Sequence, residues 1–413
     1  MKTKTKQTFS IVAGHLFEHY DISLYGFFAV LLAPVFFPPD SGYSSILASF
    51  GIFAAGFSMR PLGGVIFGYI GDRYGRKRAL LLSISLAILP TFLIGVLPTY
   101  SYIGLAAPIL LLILRLIQGI SVGGEYSGAM IYIFEHAQKN HPGLKAGILI
   151  GSGFAGAVMG TAIGTLCTSF FMPTWGWRIP FIFGGVMGIV IYWLRKDIQE
   201  TPEFKALSKL EGPIKHPFRS VYFLNKKEFL SSIVFGGANL VPLYLATVYI
   251  NVWFVELGLS RTEILFDNTI VLLCSGLLMP LTGYLADRLT ALKMMKGALL
   301  VLLVFSVPLY YYISQDPTWE KYLILQAFLV VSNACIIVPL TTFLPSLFYS
   351  SHRYTGISVS YTLGQATLGG LTPVLAILLT DSVGQKWAPS LLLSASSLLF
   401  LIALKICQKP RFA

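Results

Sequence analysis

Charge is scarce in this 413-residue chain: only 12% of its residues are Asp, Glu, Lys or Arg, whereas 55% are hydrophobic. Soluble domains carry about 25% charged residues, so a chain this apolar is not expected to be solvated as a globular domain. The mean hydropathy of +0.72 points the same way. The scarcity of charge excludes the soluble classes and favours a protein that crosses a lipid bilayer many times.

Cysteine is also scarce: the chain has four cysteines, and each of them stands alone within an apolar stretch. The sequence contains no CxxC pair, no GxxxxGK[ST] loop and no HExxH motif. The absence of these motifs argues against a disulfide framework, a zinc site, direct ATP hydrolysis and a zinc protease. We also find no cluster of nucleophile and base at a recognisable spacing, so the sequence predicts no cofactor, no metal and no enzyme activity.

Long apolar runs fill most of the chain. A membrane-spanning helix needs roughly 20 mostly apolar residues, and such runs are too long and too uniform for the alternating strands of a membrane barrel. Twelve segments qualify: near 9–36, 44–70, 77–98, 103–133, 145–171, 178–195, 228–256, 265–286, 295–314, 320–347, 354–380 and 387–408. The sequence therefore predicts an all-α integral membrane protein with twelve transmembrane helices.

The chain has a net charge of +12, and the distribution of its positive residues agrees with the predicted topology. If the N-terminus is cytoplasmic, 24 of the 30 Lys and Arg residues fall on the cytoplasmic side of the twelve spans. The positive-inside rule then places both termini in the cytoplasm, in a multi-pass protein of the cytoplasmic (inner) membrane. We expect no nucleic-acid partner, because no soluble domain is present to carry a basic binding face.

A short phrase occurs twice. Gly68-Tyr69-Ile70-Gly71-Asp72-Arg73 reappears 215 residues later as Gly283-Tyr284-Leu285-Ala286-Asp287-Arg288. A repeat over half of the chain is typical of secondary transporters built from two similar membrane halves. The only long hydrophilic stretch, 196–227, lies between the copies. We predict two pseudo-symmetric six-helix halves, 1–195 and 228–413, joined by a cytoplasmic linker over 196–227.

Several motifs carry a family resemblance. The first copy of the repeat continues as Gly75-Arg76-Lys77 and resembles the signature loop of the major facilitator superfamily. Further motifs resemble its metabolite:proton symporter family, and most of all its proline/betaine transporters. They are Glu18-xx-Asp21-xxx-Tyr25-Gly26, Arg60-Pro61-Leu62-Gly63-Gly64, the run from Arg115 to Tyr126, Trp175-Gly176-Trp177-Arg178, Glu200-Thr201-Pro202-Glu203-Phe204, Arg353-Tyr354-Thr355-Gly356 and Gly370-Leu371-Thr372-Pro373.

The resemblance implies secondary active transport: proton-coupled symport of a small carboxylate-bearing metabolite, with a proline- or betaine-type zwitterion favoured. The alternatives are a di- or tricarboxylate such as 2-oxoglutarate or citrate and, in a different class, a non-transporting membrane sensor. The expected partners are the substrate, protons and the lipid bilayer, and we expect the protein to function as a monomer.

Five charged residues fall inside predicted spans of the first half: Glu18, Asp21, Arg60, Arg115 and Glu125. A charge at mid-bilayer costs about 2.5–3.5 kcal/mol on insertion scales, so each is a functional candidate. Two carboxylates three residues apart share one helix face. We assign Glu18, Asp21 and Arg115 to proton coupling, the last by resemblance. Structural pairing of these carboxylates with Arg60 or Arg115 is the alternative.

The substrate carboxylate is assigned to an arginine, because the planar guanidinium suits a carboxylate. The predicted spans of the second half offer neutral side chains in place of charged ones. The aromatic rings among them also suit a quaternary ammonium. The predicted substrate-binding residues are Tyr25, Arg60, Arg115, Tyr244, Tyr361 and Gln365.

The repeated phrase is predicted to form a cytoplasmic gate. In this interpretation Arg76 reaches a carboxylate across the seam between the halves, and Glu125 forms an ion pair with the signature loop. The second copy lacks the Gly-Arg-Lys continuation and is expected to latch less firmly. The gate residues are Asp72, Arg73, Gly75, Arg76, Glu125, Asp287 and Arg288.

Overall fold

A computed structural model describes residues 2–38, 43–137, 141–168, 172–210, 217–256 and 261–407. Every regular element within these ranges is helical. This confirms the all-α membrane fold predicted from the long apolar runs.

The helices of the first half and the linker follow one another with short connections. They are α1 (Lys2–Phe36), α2 (Tyr43–Ser58), α3 (Arg60–Tyr74), α4 (Arg76–Val96), α5 (Tyr100–Ile103), α6 (Ala106–Ala137), α7 (Pro142–Cys167), α8 (Arg178–Lys196), α9 (Pro202–Leu210) and α10 (Pro217–Leu224). The linker is therefore partly helical, and its residues 211–216 lie outside the described part of the chain.

The second half repeats the pattern of long helices. It comprises α11 (Lys226–Ala238), α12 (Leu240–Tyr244), α13 (Ile250–Glu256), α14 (Arg261–Leu289), α15 (Ala291–Gln315), α16 (Trp319–Ser346), α17 (Arg353–Gly364), α18 (Gly370–Val383) and α19 (Ser390–Ile406). Two π-helical segments, Leu245–Tyr249 and Gln365–Gly369, continue α12 into α13 and α17 into α18. Such segments are rare and often occur at functional sites.

Eleven helical segments of the described chain are long and apolar enough to cross a membrane. The helix α19 is apolar but has only 17 residues. At 1.5 Å per residue it measures about 26 Å, which is close to the roughly 30 Å of a hydrocarbon core. Together these segments correspond to the twelve predicted ones.

The chain forms two compact units, each with its own internal packing. The first comprises Met1–His136 and Ser152–Pro217, and the second comprises Ala137–Gly151 and Phe218–Ala413. The helix α7 is thus divided, its first ten residues belonging to the second unit. The predicted domain boundaries at 195 and 228 stay predictions.

Close helix contacts bring α6 against α2 and α3 within the first unit. A Cβ atom added at Gly119 would collide with the backbone of Gly56, and one added at Gly123 would collide with the backbone of Arg60. Small residues allow helices to approach this closely in lipid, where packing rather than hydrophobicity drives association. This approach fixes the polar face of α6, which carries Arg115 and Gln118.

The repeated phrase adopts the same local structure in both units. Arg73 donates to the hydroxyl of Tyr69, and Arg288 donates to the hydroxyl of Tyr284. Two residues further on, the backbone turns with a positive φ in both copies. Gly75 has φ 107° and Thr290, which occupies the corresponding position, has φ 70°. The internal repeat therefore extends to backbone conformation, although only the first copy has glycine at the turn.

Replacing Thr290 with glycine is expected to stabilise the protein. A β-branched residue at φ 70° and ψ 134° is strained, and such strain costs of order 1–3 kcal/mol. The Thr290 side chain makes no capping hydrogen bond to α15 that the change would remove. We predict that Thr290→Gly raises the free energy of unfolding by about 1 kcal/mol after the entropic cost of glycine. Thermal unfolding in detergent measures the effect.

The matched control is Thr290→Ala, which removes the hydroxyl but keeps the Cβ atom. It should leave the midpoint temperature close to that of the wild type. Equal stabilisation by both substitutions would show that the strained backbone is not the cause.

Candidate functional site

Asp21 lies at the centre of a buried hydrogen-bond network in the first unit. Its carboxylate accepts from the Thr91 hydroxyl (2.7 Å) and from Nε2 of Gln118 (2.9 Å to each oxygen). Gln118 in turn accepts from Arg115 at 2.7 Å. The Arg115 guanidinium lies 3.9 Å from Asp21. Three helices, α1, α4 and α6, thus bring together two predicted coupling residues and two residues that the sequence did not single out.

Aromatic rings hold the Arg115 guanidinium in place. Its central carbon lies 4.0 Å from the centre of the Tyr25 ring and 5.7 Å from that of Phe53. These two rings stack on each other with an interplanar angle of 4°. The buried Nε of Arg115 has no hydrogen-bond partner among the described residues. The predicted residues Tyr25 and Arg115 are therefore neighbours, and the guanidinium keeps one donor for a further acceptor.

Glu18 lies on the same helix as Asp21 but has a different environment. Its Oε2 atom is 3.5 Å from Nδ1 of His15, and neither atom has a hydrogen-bond partner in the described chain. The rings of His15 and His19 meet edge to face with centres 4.3 Å apart. The structure thus places both histidines beside Glu18 on one face of α1.

A small cavity joins the acidic residues of the first unit. Its lining includes Glu18, Asp21, Ser121 and Glu125, together with apolar side chains of α1, α4 and α6. The two predicted coupling carboxylates and a third carboxylate therefore border one enclosed space. Carboxylates that share a poorly solvated space with hydroxyl groups are suited to carrying protons.

Glu125 forms a buried ion pair with Arg195. Both guanidinium nitrogens of Arg195 contact the carboxylate, one of them at 2.8 Å. The Ser83 hydroxyl donates to the same carboxylate at 2.7 Å. The sequence predicted an ion pair between Glu125 and the signature loop, and the structure corrects that expectation. The true partner comes from the last turn of α8, whose position beside α6 sequence reasoning could not supply.

The Arg195 side chain is 0% exposed. It also donates to the backbone carbonyls of Leu80 (3.2 Å) and Ile11 (3.3 Å). A Cβ atom at Gly14 would collide with the guanidinium, so this glycine of α1 provides the space that the arginine occupies. No local signal in the sequence distinguishes Arg195 from the solvated Lys196 that follows it.

The signature loop, residues 68–77, is held within the first unit. Arg76 is buried and contacts Glu135 at 3.3 Å and Asp72 at 3.6 Å. It also donates to the carbonyl of Gly71 at 2.9 Å. The sequence predicted a partner across the seam between the halves, but the described carboxylates that Arg76 contacts belong to its own unit. The assignment of Asp72, Arg73, Gly75 and Arg76 to a gate stays a prediction.

Glu200 caps the first turn of α4. Its carboxylate accepts from the backbone N–H of Arg76 at 3.0 Å and from that of Lys77 at 3.1 Å. A carboxylate at a helix N-terminus satisfies free N–H groups and complements the helix dipole. A Cβ atom at Gly75 would collide with this carboxylate. The motif that begins with Glu200 was noted only for its resemblance, and its contact with the signature loop was missed.

Removing this cap is expected to loosen the linker. We predict that Glu200→Ala costs about 1 kcal/mol of local stability, the usual value of an N-cap. The exposed Lys205 and Lys209 of α9 should then be cut by trypsin about fivefold faster, since such a change in free energy raises the open population by that factor. Asp197→Ala removes a nearby exposed carboxylate and should leave the rate unchanged. Equal cleavage of wild type and Glu200→Ala would contradict the capping role.

Asp287, in the second unit, binds a helix N-terminus. It accepts from the backbone N–H of Gly143 at 2.6 Å and from that of Leu144 at 3.0 Å, both in the first turn of α7. His141 approaches the same carboxylate at 3.9 Å. Asp287 therefore caps a helix, whereas Asp72 pairs with an arginine. The gate roles of Asp287 and Arg288 stay predictions.

Arg60 is half-buried at the start of α3. Its guanidinium lies 3.7 Å from the centre of the Phe57 ring. The structure does not bring it into the Asp21 network, and its assignment to the substrate stays a prediction.

The predicted residues of the second unit lie at the two π-helical segments. Tyr244 precedes Leu245–Tyr249, and Gln365 begins Gln365–Gly369, one turn after the buried Tyr361. Both Tyr244 and Gln365 are half-buried. The three side chains therefore lie where the helical hydrogen-bond pattern is interrupted, which the sequence did not predict.

A polar cluster lies beside the first π segment. Gln326 donates to the carbonyl of Ala246 at 3.2 Å and to the Tyr322 hydroxyl at 2.9 Å. Tyr322 donates to Asn251 at 3.0 Å. The side chain of Gln326 thus satisfies a backbone carbonyl of the π segment from the neighbouring helix α16.

The family model of the Major Facilitator Superfamily matches residues 12–266 and 244–411, nearly the whole chain. The chain belongs to this superfamily. Members of the family are transporters, so the predictions of family and of a non-enzymatic protein are confirmed.

Curated relatives match over almost the full length. The chain is 31% identical to a citrate-proton symporter of Klebsiella pneumoniae (95% of this chain, 89% of the relative). It is 33% identical to the shikimate transporter of Escherichia coli K12 (91% and 87%) and 31% identical to a proline/betaine transporter of Salmonella typhimurium (94% and 80%). These values lie too close together to favour one substrate.

Solved structures share the fold. The proton:xylose symporter XylE superposes with a TM-score of 0.78 at 16% identity, covering 97% of this chain and 94% of XylE. The fucose:proton symporter FucP of E. coli gives 0.72 at 12% identity, covering 97% and 98%. Identity this low shows the fold alone, and the fold is the one predicted: a major facilitator fold with two six-helix halves.

Proposed function

We propose that this protein is a secondary active transporter that carries a small carboxylate-bearing metabolite together with protons. The observation that supports it best is the buried network in which Asp21 faces Arg115. A carboxylate and a guanidinium in one water-poor site provide a group that can bind a proton and a group that can bind an anion.

The two binding events can be coupled through charge. When Asp21 is ionised, its negative charge lies 3.9 Å from Arg115 and compensates the buried cation. Protonation of Asp21 removes that compensation, and an uncompensated buried charge is costly. A substrate carboxylate then restores neutrality by binding Arg115, whose Nε has no hydrogen-bond partner in the part of the chain that the structure describes. Proton and substrate therefore stabilise each other on the protein, as symport requires.

The substrate class follows from chemistry that the relatives share. Citrate, shikimate, proline, betaine and α-ketoglutarate, named for the curated relatives, all carry a carboxylate. We favour a zwitterion of the proline or betaine type, because the sequence motifs most resemble those of proline/betaine transporters. A di- or tricarboxylate is the second candidate, and it would use Arg60 as a further cation.

We propose that the protein lies in the bacterial inner membrane with both termini in the cytoplasm and works as a monomer. Its partners are the substrate, protons and lipids, with no role for nucleic acid. Cysteine labelling from either side of the membrane, at positions introduced in α9 and in the segment 172–177, tests the orientation.

Uptake by proteoliposomes tests the function. Labelled proline, glycine betaine, 2-oxoglutarate, citrate and shikimate are offered with an inward proton gradient, with and without a protonophore. We expect accumulation of at least one compound, and we expect the protonophore to abolish it. Accumulation that requires sodium and ignores the protonophore would overturn proton coupling. Folded protein that transports none of the five would argue against the substrate class.

A further inference from the structure

Three potential metal ligands meet on one face of α1. His15, Glu18 and His19 occupy positions i, i+3 and i+4, and a ligand atom from each lies within 4.8 Å of the other two. His15 and Glu18 are 1% and 6% exposed. Nδ1 of His15 and Oε2 of Glu18 lack hydrogen-bond partners in the described chain although both are buried. Burying such atoms unpaired is costly, so this face carries unused binding capacity.

The distances suit a small cation. Two ligands of a tetrahedral zinc ion, each about 2.0–2.1 Å from the metal, lie about 3.4 Å apart. Nδ1 of His15 and Oε2 of Glu18 are 3.5 Å apart, so this pair needs almost no movement. The third ligand atom, which lies within 4.8 Å of the other two, has to approach by up to about 1.4 Å, which rotation of an imidazole ring provides.

The hydrogen bonding of His19 also supports binding of a small cation. Its Nδ1 lies 3.1 Å from the carbonyl oxygen of His15. A ring nitrogen that donates to a carbonyl leaves the other nitrogen unprotonated, and metal-binding histidines usually have this second contact. Nε2 of His19 therefore keeps a lone pair that can bind a metal ion. Gly153 of α7 packs against both rings, and its missing side chain leaves them room to turn.

We propose that His15, Glu18 and His19 form a binding site for a divalent transition-metal ion of the zinc class. Two imidazole nitrogens and one carboxylate oxygen are the donor set of many three-ligand zinc sites, with a fourth position left for water or substrate. The sequence predicted no metal because it contains neither a CxxC pair nor HExxH. His15-x-x-Glu18-His19 has the reversed order of HExxH, in which the two histidines bind the metal, and here Glu18 is proposed as a third ligand. The bound ion holds Glu18, which borders the same cavity as Asp21.

Binding is measured on the full-length protein, purified in detergent without a histidine tag and stripped with a chelator. Zinc is titrated in competition with a chromophoric chelator, and cobalt serves as an optical probe of coordination geometry. We expect one zinc ion per protein and the intense visible absorption of four-coordinate cobalt. His19→Gln and Glu18→Gln should each weaken zinc binding at least about tenfold, because even outer-shell partners contribute 10–100-fold.

The matched control is His136→Gln. Nδ1 of His136 lies 2.9 Å from the carbonyl of the residue four positions earlier, like that of His19, but this histidine lies outside the cluster. Zinc binding by this variant should equal that of the wild type, and each variant is first shown to unfold at the wild-type temperature. Equal affinity of wild type, His19→Gln and Glu18→Gln, or a six-coordinate cobalt spectrum, would overturn the proposal. This readout needs no substrate, so its failure is distinct from failure of the proposed symport.

Discussion

Asp21→Asn is expected to abolish proton-driven accumulation while leaving substrate exchange. Asparagine has nearly the same shape and keeps an acceptor for Thr91, but it cannot take up a proton. With an inward gradient of one pH unit and no membrane potential, one coupled proton supports at most about tenfold accumulation, since 1.4 kcal/mol is a factor of ten. We predict that the accumulation ratio falls from near that limit to one. Exchange of labelled for unlabelled substrate moves no net proton and should continue.

Asp316→Asn is the matched control, because it removes an exposed carboxylate that pairs with Lys321. It should leave both accumulation and exchange at the wild-type level. If Asp21→Asn still accumulates substrate against a gradient, Asp21 is not required for coupling. If it loses exchange together with accumulation while remaining folded, Asp21 acts in substrate binding or helix packing instead.

Arg195→Met is expected to cause the largest loss of stability among the buried charges. The side chain is fully buried and contacts both oxygens of Glu125. Removing one partner of such a pair leaves an uncompensated buried charge, which costs about 3–5 kcal/mol. The double variant Arg195→Met with Glu125→Leu removes both charges and should recover most of that loss. Thermal unfolding in detergent, followed by fluorescence, measures the stability of the wild type, of Arg195→Met and of the double variant.

Lys6→Met provides the control within the same unit. Lys6 pairs with Asp197 at 3.4 Å, but the two side chains are 58% and 68% exposed. An exposed pair contributes about 0–1 kcal/mol, so the substitution should hardly change the unfolding temperature. A double variant at Arg195 and Glu125 that is no more stable than Arg195→Met alone would show that lost packing, and not an unpaired charge, explains the effect.

Much of the fold was predictable because its signals are local. The length and uniformity of the apolar runs identified the membrane helices, and the repeat of Asp72-Arg73 as Asp287-Arg288 identified two similar halves. The spacing of Glu18 and Asp21 placed both carboxylates on one face of α1, where the structure has them. The motif order led to the family that the comparison with known proteins confirmed.

The partners of the charged residues were not predictable, because they depend on how distant helices pack. Glu125 was assigned to the signature loop, but Arg195 from α8 reaches it through the space left by Gly14. Gln118 and Thr91 have ordinary polar side chains in apolar runs, and only the meeting of α4, α6 and α1 makes them ligands of Asp21. The π-helical segments carry no periodicity signal, so their position beside Tyr244 and Gln365 was equally hidden.

The most direct test of the central claim is proton movement driven by substrate. Unbuffered proteoliposomes without any imposed gradient receive a transported compound, and the external pH is recorded. Symport predicts that the medium becomes alkaline as protons enter with the substrate, and that Asp21→Asn vesicles give no change. Substrate entry without alkalinisation by the wild-type protein would contradict proton coupling and the role assigned to the Asp21 network.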